Sequence, residues 1–176
     1  MRFSSVFYIS IALFLGACGG TSMPGGGGTI NPPSQVILPV GTATYQGFTA
    51  INVSIESSTT AMNGNLQLDV DFSGNGGSCT GTAENFRLSN SEVLSGRLFV
   101  TGGVITQSNE PDTLTFNAGI SGTVIGASLP NTIITGQLIA STGIVSHDLL
   151  AGTLIGDVTR HSATGTFTGS FSTAKQ

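Results

Sequence analysis

Tryptophan is missing from this chain, tyrosine occurs only twice, and Asp, Glu, Lys and Arg together make up 8% of its 176 residues. Scarce Lys and Glu remove the usual helix formers of solvent-facing helices. No basic cluster occurs, and nine acids against five bases leave a formal charge of −4. A weakly acidic chain of this kind is a poor match for nucleic acid or anionic lipid surfaces. Nucleic-acid binding is therefore set aside. What is abundant is glycine, 26 residues of it, with Thr, Ser and Asn around it. That mixture suits β-structure with many tight turns, because Gly supplies φ > 0 and Thr favours strands. The length is enough for one domain once a leader is removed.

The first residues have the form of a targeting segment. Arg2 supplies a positive end, "VFYISIALFL" an apolar stretch and "GAC" the small residues before a cut. The apolar stretch falls short of the ~20 residues that a helical membrane span needs. Leu15, Gly16, Ala17 and Cys18, directly after it, resemble the lipobox of bacterial lipoproteins. The resemblance implies a signal peptide over 1–17 and lipidation, of the palmitate kind, at Cys18 as the first mature residue. Gly19 rather than Asp after the cysteine implies sorting to the outer membrane of a Gram-negative cell. The membrane then becomes a partner through the anchor alone.

With Cys18 consumed as a thioether, Cys79 is the only thiol left, and no internal disulfide can form. Cys79 shares a strand face with Gly81 and Ala83, which predicts a small buried core residue.

Residues 18–39 contain "GGTSMPGGGG" and then Pro32, Pro33 and Pro39, with no helical or strand period. This composition predicts a disordered tether. From residue 40 to 176 the pattern changes to period two. Leu66, Leu68, Val70 and Phe72 oppose Asn65, Gln67, Asp69 and Asp71; Ile51, Val53 and Ile55 oppose Asn52, Ser54 and Glu56. Leu114, Phe116, Ala118 and Ile120 share a face, as do Gly165, Phe167, Gly169 and Phe171. These are strands with one wet face. "GTATYQG", "SCTGTAENF", "LSGRLFV", "TIITGQLIA" and "LAGTLIGDV" fit further strands, with "SGNGG" and "TGG" as turns between neighbours. About eight or nine strands result, in a closed up-and-down barrel or a sandwich. Small residues alternating with Leu and Phe on the buried face suit a narrow, filled barrel. A membrane-spanning barrel needs aromatic girdles, and outside the leader only Tyr45 is available besides Phe. The expected fold is an all-β, small soluble eight-stranded antiparallel up-and-down barrel after a disordered tether.

"GTATYQG", "LDVDFSGNGGSCTGTAENF" and the closing "GTLIGDVTRHSATGTFTGSF" together resemble the C-lobe barrel of the transferrin-binding protein B type, over about Gly41 to Phe171. The closing hairpin carries fewer aromatic and acidic residues than that family's. The resemblance implies a non-enzymatic surface barrel that holds or displays something through its loops. Transferrin, haem proteins and complement factors do not carry over, because no segment here matches the loops that contact them.

Two constellations could carry chemistry. His147 and Asp148, with His161, could orient a general base or begin a metal site, but neighbouring strand residues point to opposite faces and a structural zinc needs four ligands. Solvated histidines are the expectation. Asp69, Asp71, Ser73 and Gly74 occupy the first, third, fifth and sixth places of a calcium loop. Thr80 stands where its bidentate Glu belongs, so a hairpin with Asp69 and Asp71 on the wet face is expected. No nucleophile elbow, paired catalytic carboxylates or phosphate loop is present in the sequence. The composite expectation is a lipid-anchored outer-membrane lipoprotein, surface-exposed or facing the periplasm. Its barrel binds a host or environmental protein or a small ligand without catalysis, cofactor or metal. A structural envelope lipoprotein facing the periplasm is the alternative. The candidate binding loops are "SSTTAMNGN", "TQSNEPDT" and "RHSAT".

Overall fold

A computed structural model describes residues 40–73, 77–107, 113–143 and 148–176. The segments assigned to the signal peptide and the tether lie outside the described residues.

Eight strands follow in order: β1 (Thr42–Ile55), β2 (Ser58–Asp71), β3 (Ser78–Leu88), β4 (Ser95–Gln107), β5 (Thr113–Ile125), β6 (Thr132–Gly143), β7 (Leu149–Arg160) and β8 (Ala163–Lys175). Each pairs antiparallel with the next, and β1 pairs with β8, so the sheet closes into an up-and-down barrel. The period-two reading of the sequence is the reason. Its apolar positions face inward, where Ile51, Leu68, Phe116 and Phe167 are buried, and its Thr, Ser and Asn positions face out. "GTATYQG" and "INVSIE" are one continuous strand, which reduces the count to eight. "TGG" is not a turn. It lies inside β4 as a bulge, with Gly102 at φ 63, because β4 carries one residue more than β5 between Thr101 and Val104 and one more than β3 between Val100 and Gly103.

The register fixes the width of the barrel. Successive partners of Tyr45 are Leu68, Gly81, Val100, Ile120, Gly136, Gly156 and Phe167. Phe167 pairs with Val53, so the walk returns to β1 eight residues along from Tyr45. Eight strands with that stagger tilt by about 36° and enclose a space that side chains fill in layers. The described interior is filled accordingly. Twelve large side chains, among them Phe86, Phe116, Met62 and Leu138, keep less than 2% of their surface. Side chains lining a watery lumen would keep far more.

Phe167 explains two of the glycines in this ring. A Cβ built on Gly136 or on Gly156 would come within 2.7 Å of the Phe167 ring. The aromatic occupies the room that two side chains would otherwise take. Phe86 does the same over Gly64, where a Cβ would meet the ring at 2.6 Å.

The connections divide between the two ends. Glu56–Ser57, residues 89–94, residues 126–131 and His161–Ser162 lie at one end. Val40 and Gln176 lie at the opposite end. At the first end Leu94 and Leu129 are buried and close the core. A carboxylate ties their two loops together: Ser128 donates its hydroxyl to Glu92 Oε2 at 2.6 Å and its amide to Oε1 at 3.1 Å. Those bonds, the hydroxyl's foremost, hold the Glu92 carboxyl below the usual range.

Candidate functional site

The residues singled out by chemistry in the sequence do not converge. His147 lies outside the described residues. Asp148 is exposed just before β7, and His161 is exposed in the turn just after it. The length of β7 therefore separates them, roughly 40 Å at ~3.3 Å per residue. His161 takes φ 55 in a two-residue turn, a backbone role in which the side chain points to solvent.

Asp69 and Asp71 stand on the outer face of β2, and both carboxylates are engaged locally. Asp69 Oδ1 accepts the Thr44 hydroxyl at 2.8 Å, and Asp71 Oδ1 accepts the Ser73 amide at 2.8 Å. Bonds from the Ser73 hydroxyl and amide hold the Asp71 carboxyl below its usual range. Gly74, the sixth place of the calcium-like loop, lies outside the described residues. Among the described residues no group of three or more His, Cys, Asp or Glu is placed to hold a metal.

Cys79 is buried on the inner face of β3 with 1% of its surface exposed. Burial, and secondarily the negative charge of Asp69, push its thiol up to about 11. The thiolate is thus nearly absent at neutral pH. In the folded protein at pH 8, Cys79 is expected to stay unmodified by an aromatic disulfide reagent over hours. The unfolded chain should react within minutes. Labelling of the native protein at the unfolded rate would contradict the buried placement.

Two of the three candidate loops are corrected. "SSTTAMNGN" is the first half of β2 from Ser58 onward, because Met62 pairs with Ile51 and is fully buried. "RHSAT" reduces to the turn His161–Ser162, since Arg160 and Ala163 pair with each other at the strand ends. Most of "TQSNEPDT" lies outside the described residues.

The outer wall over β1, β2 and β3 carries a different feature. Phe48 is 73% exposed there, the largest exposure of any described aromatic ring. It stands opposite Asn65 on β2 and Ser172 on β8, and Asn65 in turn stands opposite Glu84 on β3. The rows on either side hold Gln46 paired with Gln67, and Asn63 paired with Arg87. Gln46 donates its amide to the Gln67 carbonyl oxygen at 3.3 Å. Three shallow grooves of about 440, 530 and 560 Å³ meet at the Phe48 ring. Those volumes fall within the size range of small-ligand clefts.

A bulge in β3 concentrates polar groups beside the ring. Between Asn63 and Asn65, β2 advances two residues while β3 advances three, from Arg87 to Glu84. Asn85 absorbs the extra residue at φ 58, so Asn85 and Arg87 are exposed and Glu84 half exposed, while Phe86 turns inward. Bulges of this kind re-aim side chains beside functional sites. Phe48 was legible as an anomaly in the sequence. It falls out of phase with Ile51, Val53 and Ile55, on the face that carries Gln46 and Asn52. The bulge left a trace as well, since Phe86 and Leu88 fall out of phase with Cys79, Gly81 and Ala83, as an extra residue between Ala83 and Phe86 requires.

Compared with protein-family models, curated proteins and solved structures, the chain matches none.

Proposed function

We propose that the chain is a lipid-anchored lipoprotein of the outer membrane, surface-exposed or facing the periplasm. Its barrel serves as a non-catalytic binding or display module. The observation that carries the binding role is Phe48, a ring held in water whose cross-strand partners and flanking rows are polar: Asn65, Ser172, the Gln46–Gln67 pair and the Asn63–Arg87 pair. Single exposed apolar residues are ordinary on protein surfaces. An aromatic among five amide side chains, with a bulge aiming two charged groups toward it, is a built arrangement. The filled interior supports placing the ligand outside rather than in a lumen.

The anchor rests on Leu15, Gly16, Ala17 and Cys18, and the wall of the barrel agrees with it. Outward positions of β8 are Thr164, Thr166, Thr168, Ser170 and Ser172, all exposed. A barrel embedded in a bilayer presents an apolar band about 25 Å tall instead. Strands β4 to β7 expose Phe99, Val104, Ile133, Ile139 and Ile155 as well, but each is paired across the strands with polar residues, so attachment through a lipid suits the wall better than insertion does. The test is growth of the source bacterium with radiolabelled palmitate. The wild-type chain is expected to carry the label and sediment with outer membranes. Cys18→Ala should lose the label and leave that fraction. A wild-type chain that stays unlabelled would overturn the anchor.

A further inference from the structure

The geometry points to a carbohydrate as the ligand of the Phe48 wall, with the ring as a stacking platform for a sugar; this rests on reading the barrel as a binding module. Sugars and this wall share one pattern of polarity. A pyranose has a face of C–H groups and a rim of hydroxyls. The C–H groups carry slight positive charge and are attracted to the negative face of an aromatic ring. Each hydroxyl both donates and accepts a hydrogen bond. The wall offers one aromatic face and, around it, amides that each supply donors and an acceptor.

Gln46 and Gln67 bond to each other, but the three asparagines and the guanidinium nearby are free to serve. The side chains of Asn63, Asn65, Asn85 and Arg87 make no hydrogen bond or ion pair among the described residues. A bound hydroxyl would therefore replace water rather than break an internal bond. Glu84 adds an acceptor-only group and Arg87 a donor-only group, one charge of each sign, on the same side of the ring.

Other ligand classes fit less well. A lipid or an apolar peptide would gain one ring and bury unpaired amides, at about 1–3 kcal/mol for each unsatisfied group. An anionic polymer would meet Arg87 but also Glu84, Asp69 and the net negative charge of the chain. The spacing suits an extended ligand as well. Rows of amides repeat across the strands every ~4.8 Å, and the grooves run to both sides of the ring. A chain of sugar units could thus rest on Phe48 with one unit and reach amides with the next.

The test uses the full chain, purified in detergent and applied to an immobilised panel of bacterial, plant and animal oligosaccharides. Saturable retention of at least one glycan is expected. Phe48→Ser and Asn65→Ala should each weaken it tenfold or more at an unchanged thermal midpoint, while Phe48→Trp should keep or tighten it. No retained glycan, or retention that Phe48→Ser leaves intact, would overturn the proposal. A parallel arm offers phosphatidylcholine vesicles and a random peptide library. Binding there that depends on Phe48, with none to sugars, refutes the sugar class and leaves the binding module standing. Binding in no arm that depends on Phe48 refutes both.

Discussion

Phe167→Ala is expected to lower the free energy of unfolding by about 3–5 kcal/mol. The ring is 1% exposed, pairs with Gly156 and Val53 in the central register of the barrel, and lies over Gly136 and Gly156. Two of its neighbours have no side chain, so nothing nearby can swing in to occupy the space it leaves. The loss therefore combines the transfer of a buried ring with a cavity that stays open. For a barrel of this size the thermal midpoint should fall on the order of 10 °C. Equilibrium urea unfolding followed by far-UV circular dichroism measures it directly. A loss below 1 kcal/mol would mean that the barrel is loosely packed at this point and that the ring is not its filler.

Gly156→Ala is expected to cost about 1–3 kcal/mol, although alanine is the smaller of the possible intrusions. Its Cβ would meet the Phe167 ring at 2.7 Å and would also press on the Gly136 Cα and the Thr135 carbonyl oxygen. The ring can yield, but backbone atoms of a paired strand cannot move without disturbing β6 itself. Shortening the ring should consequently fail to rescue the substitution. In the double variant Gly156→Ala with Phe167→Leu, the cost of the alanine should persist within about 0.5 kcal/mol. Full rescue would place the obstruction in the side chain alone. The contrasting site is Gly64, where the two nearest atoms belong to the Phe86 ring and a neighbouring backbone oxygen lies farther off at 2.9 Å.

These two expectations also bear on the proposed placing of a ligand on the wall. A stagger of eight residues leaves too little width for both a complete set of inward side chains and a ligand. Glycine at Gly136 and Gly156 makes room for one phenylalanine, and the space is then consumed. The conformational freedom left for recognition is on the outside. On the side of the wall formed by β1, β2 and β3, Phe48 and the bulge at Glu84 and Asn85 stand out from the surrounding amides and hydroxyls.

Strand identity and the inward face were determined by the sequence alone. Runs such as "NLQLDVDF" carry a strict period of two, and period is a local property that survives without any knowledge of partners. Burial of Cys79 followed from the same alternation, as did the solvent-facing places of Asp69 and Asp71. The lipid anchor proposed at Cys18 likewise rests on a local motif rather than on this fold.

Tertiary structure decided whatever depends on which strand lies beside which. That "GTATYQG" and "INVSIE" are one strand follows from β2 pairing along its whole length and β8 pairing from Tyr45 to Ile55. That "TGG" bulges instead of turning follows from β4 being held on both sides. The meeting of Phe48 with Asn65 and Glu84 depends on the register of separate strands. Register is a collective outcome: a shift of one residue would turn every side chain of a strand to the other face. No short stretch of sequence contains it.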